Sequence, residues 1–280
     1  MYRVERGTLY GLSSYTLTDT DSGVSAGILP ERGALLCSLT LHGEERIYVN
    51  PENLVSTERP RCGMPVLFPL CGRVKNDTVT IDGACYPMQI HGFAHTSPFQ
   101  VLEARADGHD AHLFLQLVSS DATRCAYPFD FSLQLSFSLQ NGALSVTHAI
   151  RNTGSGIMPC HFGYHPYFLM DSLSDSTVTV PGREPIRLPE PDPVSGESGS
   201  FVPASGDATL WEGSRNAGVS LHFTGNFGAL VLWSIPEKGF LCVEPWQGMP
   251  NGTGIQGGPL LAPGEEAAGM LSLRPISSLH

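Results

Sequence analysis

Between Phe131 and Gln140 apolar and polar residues alternate without a break. Phe131, Leu133, Leu135, Phe137 and Leu139 form one set, and Ser132, Gln134, Ser136, Ser138 and Gln140 the other. A period of two places each set on one side of an extended chain, so the pattern predicts a strand with one apolar and one polar face. Asn141-Gly142 follows, a pair that accepts the left-handed backbone of a two-residue hairpin. Leu144, Val146, His148 and Ile150 then alternate with Ser145, Thr147, Ala149 and Arg151, predicting the return strand, which Asn152-Thr153-Gly154 ends.

Shorter runs at His112–Val118, Ser176–Val180, Val219–Phe223, Leu230–Trp233 and Leu241–Val243 also predict strands, separated by Gly, Pro, Asn or Asp clusters. No long amphipathic helix stands out. Pro181 to Ala208 is rich in Pro, Gly, Ser and acid, and reads as a long surface excursion, either a lid or a plain solvated loop. The expected fold class is all-β, a large antiparallel β-sandwich in one domain over residues 1–280.

Composition narrows the partners. The formal net charge of −11 opposes binding to phosphate backbones and anionic lipid, so neither nucleic acid nor a membrane surface is expected. No apolar run approaches the roughly 18 residues of a membrane helix. Met1 to Gly7 lacks the basic-then-apolar pattern of a signal peptide, which points to the cytoplasm. The seven cysteines are odd in number and contain no C-x-x-C pair. They read as buried free thiols in a reducing compartment, not as disulfides or a zinc site.

Four segments carry more polar and aromatic residues than a strand core requires: Pro65–Asp77 (PVLFPLCGRVKND), His91–His95 (HGFAH), His161–Phe168 (HFGYHPYF) and Glu244–Asn251 (EPWQGMPN). Pro166 holds His165 in extended backbone, among Tyr164, Tyr167 and Phe168. Taken alone, His165 reads as a core histidine bonded to a carbonyl. Glu244 closes the apolar run Phe240–Val243 at an expected strand end, and is either an arginine partner or a general base. His91 and His95 share an H-x-x-x-H spacing, as do His161 and His165. That spacing suits a metal only on a helix, and Gly92 and Pro166 oppose helices there, so no metal is expected. Arg73 is either a solvated loop charge or a fork donating to sugar hydroxyls.

In this order, the four segments resemble the aldose 1-epimerase (galactose mutarotase) family, and most closely its LacX-like branch. Tyr127-Pro128-Phe129, the Asn141-Gly142 hairpin and the closing Ala262-Pro263-Gly264-Glu265 add to the resemblance, which covers most of the chain. The hexose-6-phosphate branch is less similar, because its tryptophan-rich PWFG-type segment is absent. The resemblance implies a twisted supersandwich with an open cleft, and the interconversion of the α and β anomers of a free aldose, most simply an aldohexose. It implies His165 as general acid, His91 as a second active-site histidine, Glu244 as general base and Arg73 as a sugar-binding residue. His95 and Trp246 complete the expected substrate-binding set.

Two departures stand out. Where the LacX-like branch has arginine after HGFA, this chain has His95, which weakens a case for an anionic substrate. The family's sugar-binding aspartate has no aligned counterpart, and Asp207 stays outside the expected site.

The chemistry also fits the residue types. Opening a pyranose needs a base for the C1 hydroxyl proton and an acid for the ring oxygen. Glu244 ionised and His165 protonated would serve, from ordinary values of about 4.3 and 6.5. Nothing is oxidised or hydrolysed, so no cofactor is required. The rivals are a non-catalytic sugar-binding or sugar-sensing protein, a glycoside-cleaving enzyme using Asp77 or Asp82 as a second carboxylate, and a sandwich with no small-molecule site.

Overall fold

A computed structural model describes the chain except residues 57, 189–190, 192–196, 250–251 and 278–280. The alternating segment forms the strand Phe131–Gln140, paired antiparallel with Ala143–Asn152 so that Gln140 faces Ala143. Asn141 and Gly142 both have positive φ, 50° and 69°, the requirement of a type I′ turn. Every apolar residue of the Phe131–Gln140 strand is buried.

These two strands lie inside an eight-stranded sheet. In spatial order it runs Ser176–Thr179, Asp207–Glu212, Ala217–Thr224, Glu266–Ile276, Ala143–Asn152, Phe131–Gln140, Ala111–Val118 and Gln100–Ala106. A six-stranded sheet faces it: Ser198–Pro203, Ala229–Ser234, Phe240–Trp246, Gly163–Tyr164 and Val66–Leu67 in order, with Tyr167–Leu169 also pairing Phe240–Trp246. A five-stranded sheet is built from residues 2–45. The pairings between the described strands are antiparallel, as expected of an all-β sandwich. One core joins the layers, with Leu133, Leu135 and Phe137 on one side, Leu232, Leu241 and Val243 on the other, and Leu17 and Ile28 from the five-stranded sheet.

Several elements differ from expectation. The described part of the Pro181–Ala208 excursion contains the strand Ser198–Pro203, which terminates the six-stranded sheet; residues 189–190 and 192–196 lie outside the described residues. All seven cysteines are free, but Cys85 and Cys125 are exposed, not buried. Among the described residues no helix is long and apolar enough to cross a membrane.

Candidate active site

Strand Phe240–Trp246 is the axis of the site. Leu241 and Val243 enter the core shared with the eight-stranded sheet. The period of two therefore turns Phe240, Cys242, Glu244 and Trp246 to the other face. Glu244 lies within the strand, not at its end, and only 1% of it is exposed. On the neighbouring segment Gly163 faces Trp246 and Tyr167 faces Cys242, so His165 falls opposite Glu244. Pro166 divides that segment into two short strands while keeping it extended. His165 Nε2 stands 3.2 Å from Glu244 Oε2. The same oxygen accepts a 3.1 Å hydrogen bond from the Trp246 indole N–H.

His91 reaches the site by a different device. Its backbone has φ of 68°, a conformation that non-glycine residues seldom adopt and that concentrates at functional positions. A mutual brace holds it: its backbone N–H donates to the Gly72 carbonyl at 2.8 Å, and its Nδ1 accepts from the Gly72 N–H at 3.0 Å. Nδ1 is thus the acceptor, which leaves Nε2 to carry the ring proton. Gly92 follows in the left-handed region, and a Cβ there would meet the Phe68 carbonyl oxygen at 2.2 Å. The rings of His91 and His165 meet edge-on with centroids 5.2 Å apart, and His91 meets Trp246 at 5.6 Å. Tyr167 stacks on His165 at 4.6 Å, with planes 6° apart.

These groups border a cavity of about 600 Å³ whose wall includes Arg59, Arg73, His91, His165, Glu244 and Trp246. Burial raises the Glu244 carboxyl well above its ordinary range, opposed by the Trp246 hydrogen bond and the Arg59 charge. Burial lowers His165, and Arg59 lowers it further. This reverses the expected resting state: desolvation favours neutral carboxylic acid beside neutral imidazole over the ion pair. Both arrangements hold one proton, so they differ only by its shift across the 3.2 Å contact. His91 is also held neutral by burial, and a proton on His165 would act in the same sense, as does the Arg59 charge.

A profile of the aldose 1-epimerase family matches residues 13–201. The chain belongs to the aldose 1-epimerase family. No functionally curated protein gives a significant match. Among solved structures, the Slr1438 protein from Synechocystis sp. PCC 6803 is 27% identical, with 99% of this chain and 100% of that one covered at a TM-score of 0.86. A galactose mutarotase-like protein from Clostridium acetobutylicum is 19% identical, with 98% of both chains covered and a TM-score of 0.80. A galactose 1-epimerase from Lactobacillus acidophilus NCFM is 17% identical, with 100% of this chain and 99% of that one covered at 0.75. The last two likenesses concern the fold.

Within this aldose 1-epimerase fold, five of the six expected site residues border the cavity: Arg73, His91, His165, Glu244 and Trp246. His95 does not. It is buried in the 3₁₀ turn Ala94–Thr96, and burial lowers it to about 4. Its expected place among the sugar contacts is corrected to one behind the wall. Arg73 is 58% exposed, and its guanidinium already holds Asp77 at 2.5 Å. Asp207 pairs with His222 at 2.8 Å, and neither residue borders the cavity. Asp82 likewise lies outside the cavity wall.

Two charged wall residues escaped the sequence analysis, Arg59 and Glu197. Neither belongs to one of the four segments. Arg59 shows its position through its effect on the titration of His91, His165, Tyr167 and Glu244.

Neither H-x-x-x-H pair lies on a helix. His91 and His95 occupy a left-handed turn and a 3₁₀ turn, while His161 holds the Gln256 carbonyl at 2.7 Å. A different trio, His165, Cys242 and Glu244, places one donor atom each within 4.8 Å of one another. Burial keeps the Cys242 thiol well above its ordinary range, and an ionised Glu244 beside it acts in the same sense.

Proposed function

We propose that this family member is an aldose 1-epimerase in activity as well as descent, interconverting the α and β anomers of a free aldose, with an aldohexose the simplest substrate. The observation that carries this reading is the 3.2 Å contact between His165 and Glu244 on the wall of the cavity. Glu244 removes the C1 hydroxyl proton while His165 protonates the ring oxygen, and the C1–O5 bond breaks. The C1 aldehyde then rotates about C1–C2. Reclosure runs the two proton transfers backwards onto the other face, and well-placed transfers of this kind are worth about 10²–10⁴-fold.

The buried environment assists the opening step. The ion pair is the reactive form with a closed ring, and the neutral pair is what remains once the ring is open. Desolvation favours the neutral pair, so the local environment draws the protons in the direction of opening. His91 donates from Nε2 to a sugar oxygen, and Arg73, Arg59, Glu197 and Trp246 bind around it. The single core linking both sheets supports reading residues 1–280 as one domain.

The test is polarimetry or NMR on freshly dissolved α-glucose, α-galactose and other aldoses, corrected for the spontaneous rate. Faster equilibration with the protein is expected. The rate should follow a bell-shaped pH profile belonging to the pair. Its acid limb, addition of a second proton, lies below the ordinary histidine value. Its basic limb, loss of the one shared proton, lies above the ordinary glutamate value. Saturable sugar binding without acceleration would replace this reading with that of a non-catalytic sugar-binding protein.

A further inference from the structure

Strand alternation assembles a donor set that the H-x-x-x-H spacings do not. Cys242 and Glu244, two residues apart, share the outer face of strand Phe240–Trp246. His165 stands opposite Glu244 on the neighbouring segment. One imidazole nitrogen, one sulfur and one carboxylate oxygen therefore converge, all within 4.8 Å of one another. All three side chains are buried, so packing fixes the donors in place.

Distances decide what the set can hold. Tetrahedral zinc with ordinary bond lengths puts its nitrogen and oxygen ligands about 3.4 Å apart, and its sulfur about 3.6 Å from either. His165 Nε2 and Glu244 Oε2 are already 3.2 Å apart. From the 4.8 Å limit the sulfur has at most about 1.2 Å to close, within the range of its single side-chain torsion. The Trp246 indole, donating to Glu244 Oε2 at 3.1 Å, orients the carboxylate as an outer partner of a metal ligand does. His165 and Glu244 border the cavity, and Cys242 lies behind them. A cation would enter from the cavity, with its fourth position facing water or a sugar hydroxyl there.

The donor types choose the cation. Magnesium and calcium take oxygen ligands, whereas a thiolate and an imidazole beside one carboxylate select zinc or cadmium. On binding, the thiol proton and the one proton held between His165 and Glu244 leave to water, and the dication offsets the buried negative charge. We propose that His165, Cys242 and Glu244 form an inhibitory site for a thiophilic divalent cation of the zinc class, which stops anomerisation by occupying the two atoms that exchange protons with the sugar. The cation is an inhibitor, not a cofactor, because those atoms cannot hold it and move protons at once. The inhibition rests on the mutarotase reading; the cation site does not.

The test uses the full chain with the exposed Cys85 and Cys125 replaced by Ser, so that surface thiols do not compete for the metal. Zn²⁺ should abolish the acceleration of glucose and galactose anomerisation, EDTA should restore it, and Mg²⁺ should have no effect. Titration with Cd²⁺ should raise a thiolate-to-metal ultraviolet absorption band that saturates at one equivalent. Loss of an outer partner alone costs about 10–100-fold in metal affinity, so Cys242→Ala should raise the inhibitory zinc concentration at least about tenfold, judged against its own metal-free rate. It should also abolish the band. Should Cys242→Ala not fold, Glu244→Gln and His165→Gln keep the sulfur and report through the band, with at least about tenfold weaker cadmium binding. Anomerisation indifferent to zinc, or inhibition and a band that survive these substitutions, would overturn the cation site and leave the mutarotase reading standing. A Cys242-dependent band in a protein that accelerates no aldose would do the reverse.

Discussion

The two facing sheets share a core but differ in construction. The eight-stranded sheet uses strands of up to 11 residues, such as Glu266–Ile276, and its polar residues pair across the outer face, as Gln116 does with Ser132 at 2.9 Å. The six-stranded sheet includes Val66–Leu67, Gly163–Tyr164 and Tyr167–Leu169, of two or three residues each. Its outer face holds Glu244 and His165, both buried and both displaced from their ordinary ionisation. The eight-stranded sheet also buries a histidine, His148, but satisfies it. Tyr164 O–H donates to the Val146 carbonyl at 2.7 Å, so it accepts from His148 Nδ1 at 3.0 Å. A long alternating strand presents one kind of face and is well suited to a core. A reactive site needs unlike groups from distant segments, and short strands interrupted by Gly and Pro deliver them.

Substitutions can break this contrast. Glu244→Gln keeps the side-chain shape and removes the base, so kcat should fall about 10²–10⁴-fold with little change in KM. Anomerisation rates measured by NMR decide it, and an undiminished rate would remove Glu244 from the mechanism. Leu135→Ala should do the opposite, costing about 2–5 kcal/mol of stability while kcat per folded molecule holds. Urea unfolding and active-site titration separate those two effects.

His148 sharpens the contrast through acid sensitivity. Burial lowers it to about 3, whereas an unfolded histidine titrates near its ordinary value. Below that ordinary value the unfolded chain takes up a proton that the folded chain refuses, so stability falls as pH drops toward the folded value. The loss from this one residue is about 2–3 kcal/mol at pH 4.5. Comparing urea midpoints at pH 7 and 4.5, His148→Gln should show a smaller acid loss than the native protein; an equal loss would refute this account. The smallest effect is expected of Arg73→Ala. The guanidinium is exposed and already engaged by Asp77, so KM should rise only about threefold with kcat preserved.

The same contrast explains what the sequence revealed. Phe131–Gln140 was legible because one face is buried and the other wet. Val24–Leu29 is buried on both faces for most of its length, so no alternation marked it. Tyr2–Leu9 is largely exposed and gave no apolar stripe. The expected site residues on the cavity wall were found through four motifs, whose glycines and prolines have physical work visible in the chain, Gly92 against Phe68 above all. Arg59 and Glu197 had no such marker: a single charge beside Pro, Ser and Gly looks like any solvated loop. The inward displacement of His95 was equally invisible, because packing behind the wall leaves no periodic signature in five residues.

The one proton shared by Glu244 and His165 makes the proposed cycle a closed circuit. The proton removed at C1 is returned at C1, and the proton lent to the ring oxygen is taken back from it. Neither has to cross to bulk water, although the uncatalysed reaction depends on acids and bases dissolved there. The catalysed rate should therefore be indifferent to buffer concentration at fixed pH. No proton channel to the surface is needed while the aldehyde is free.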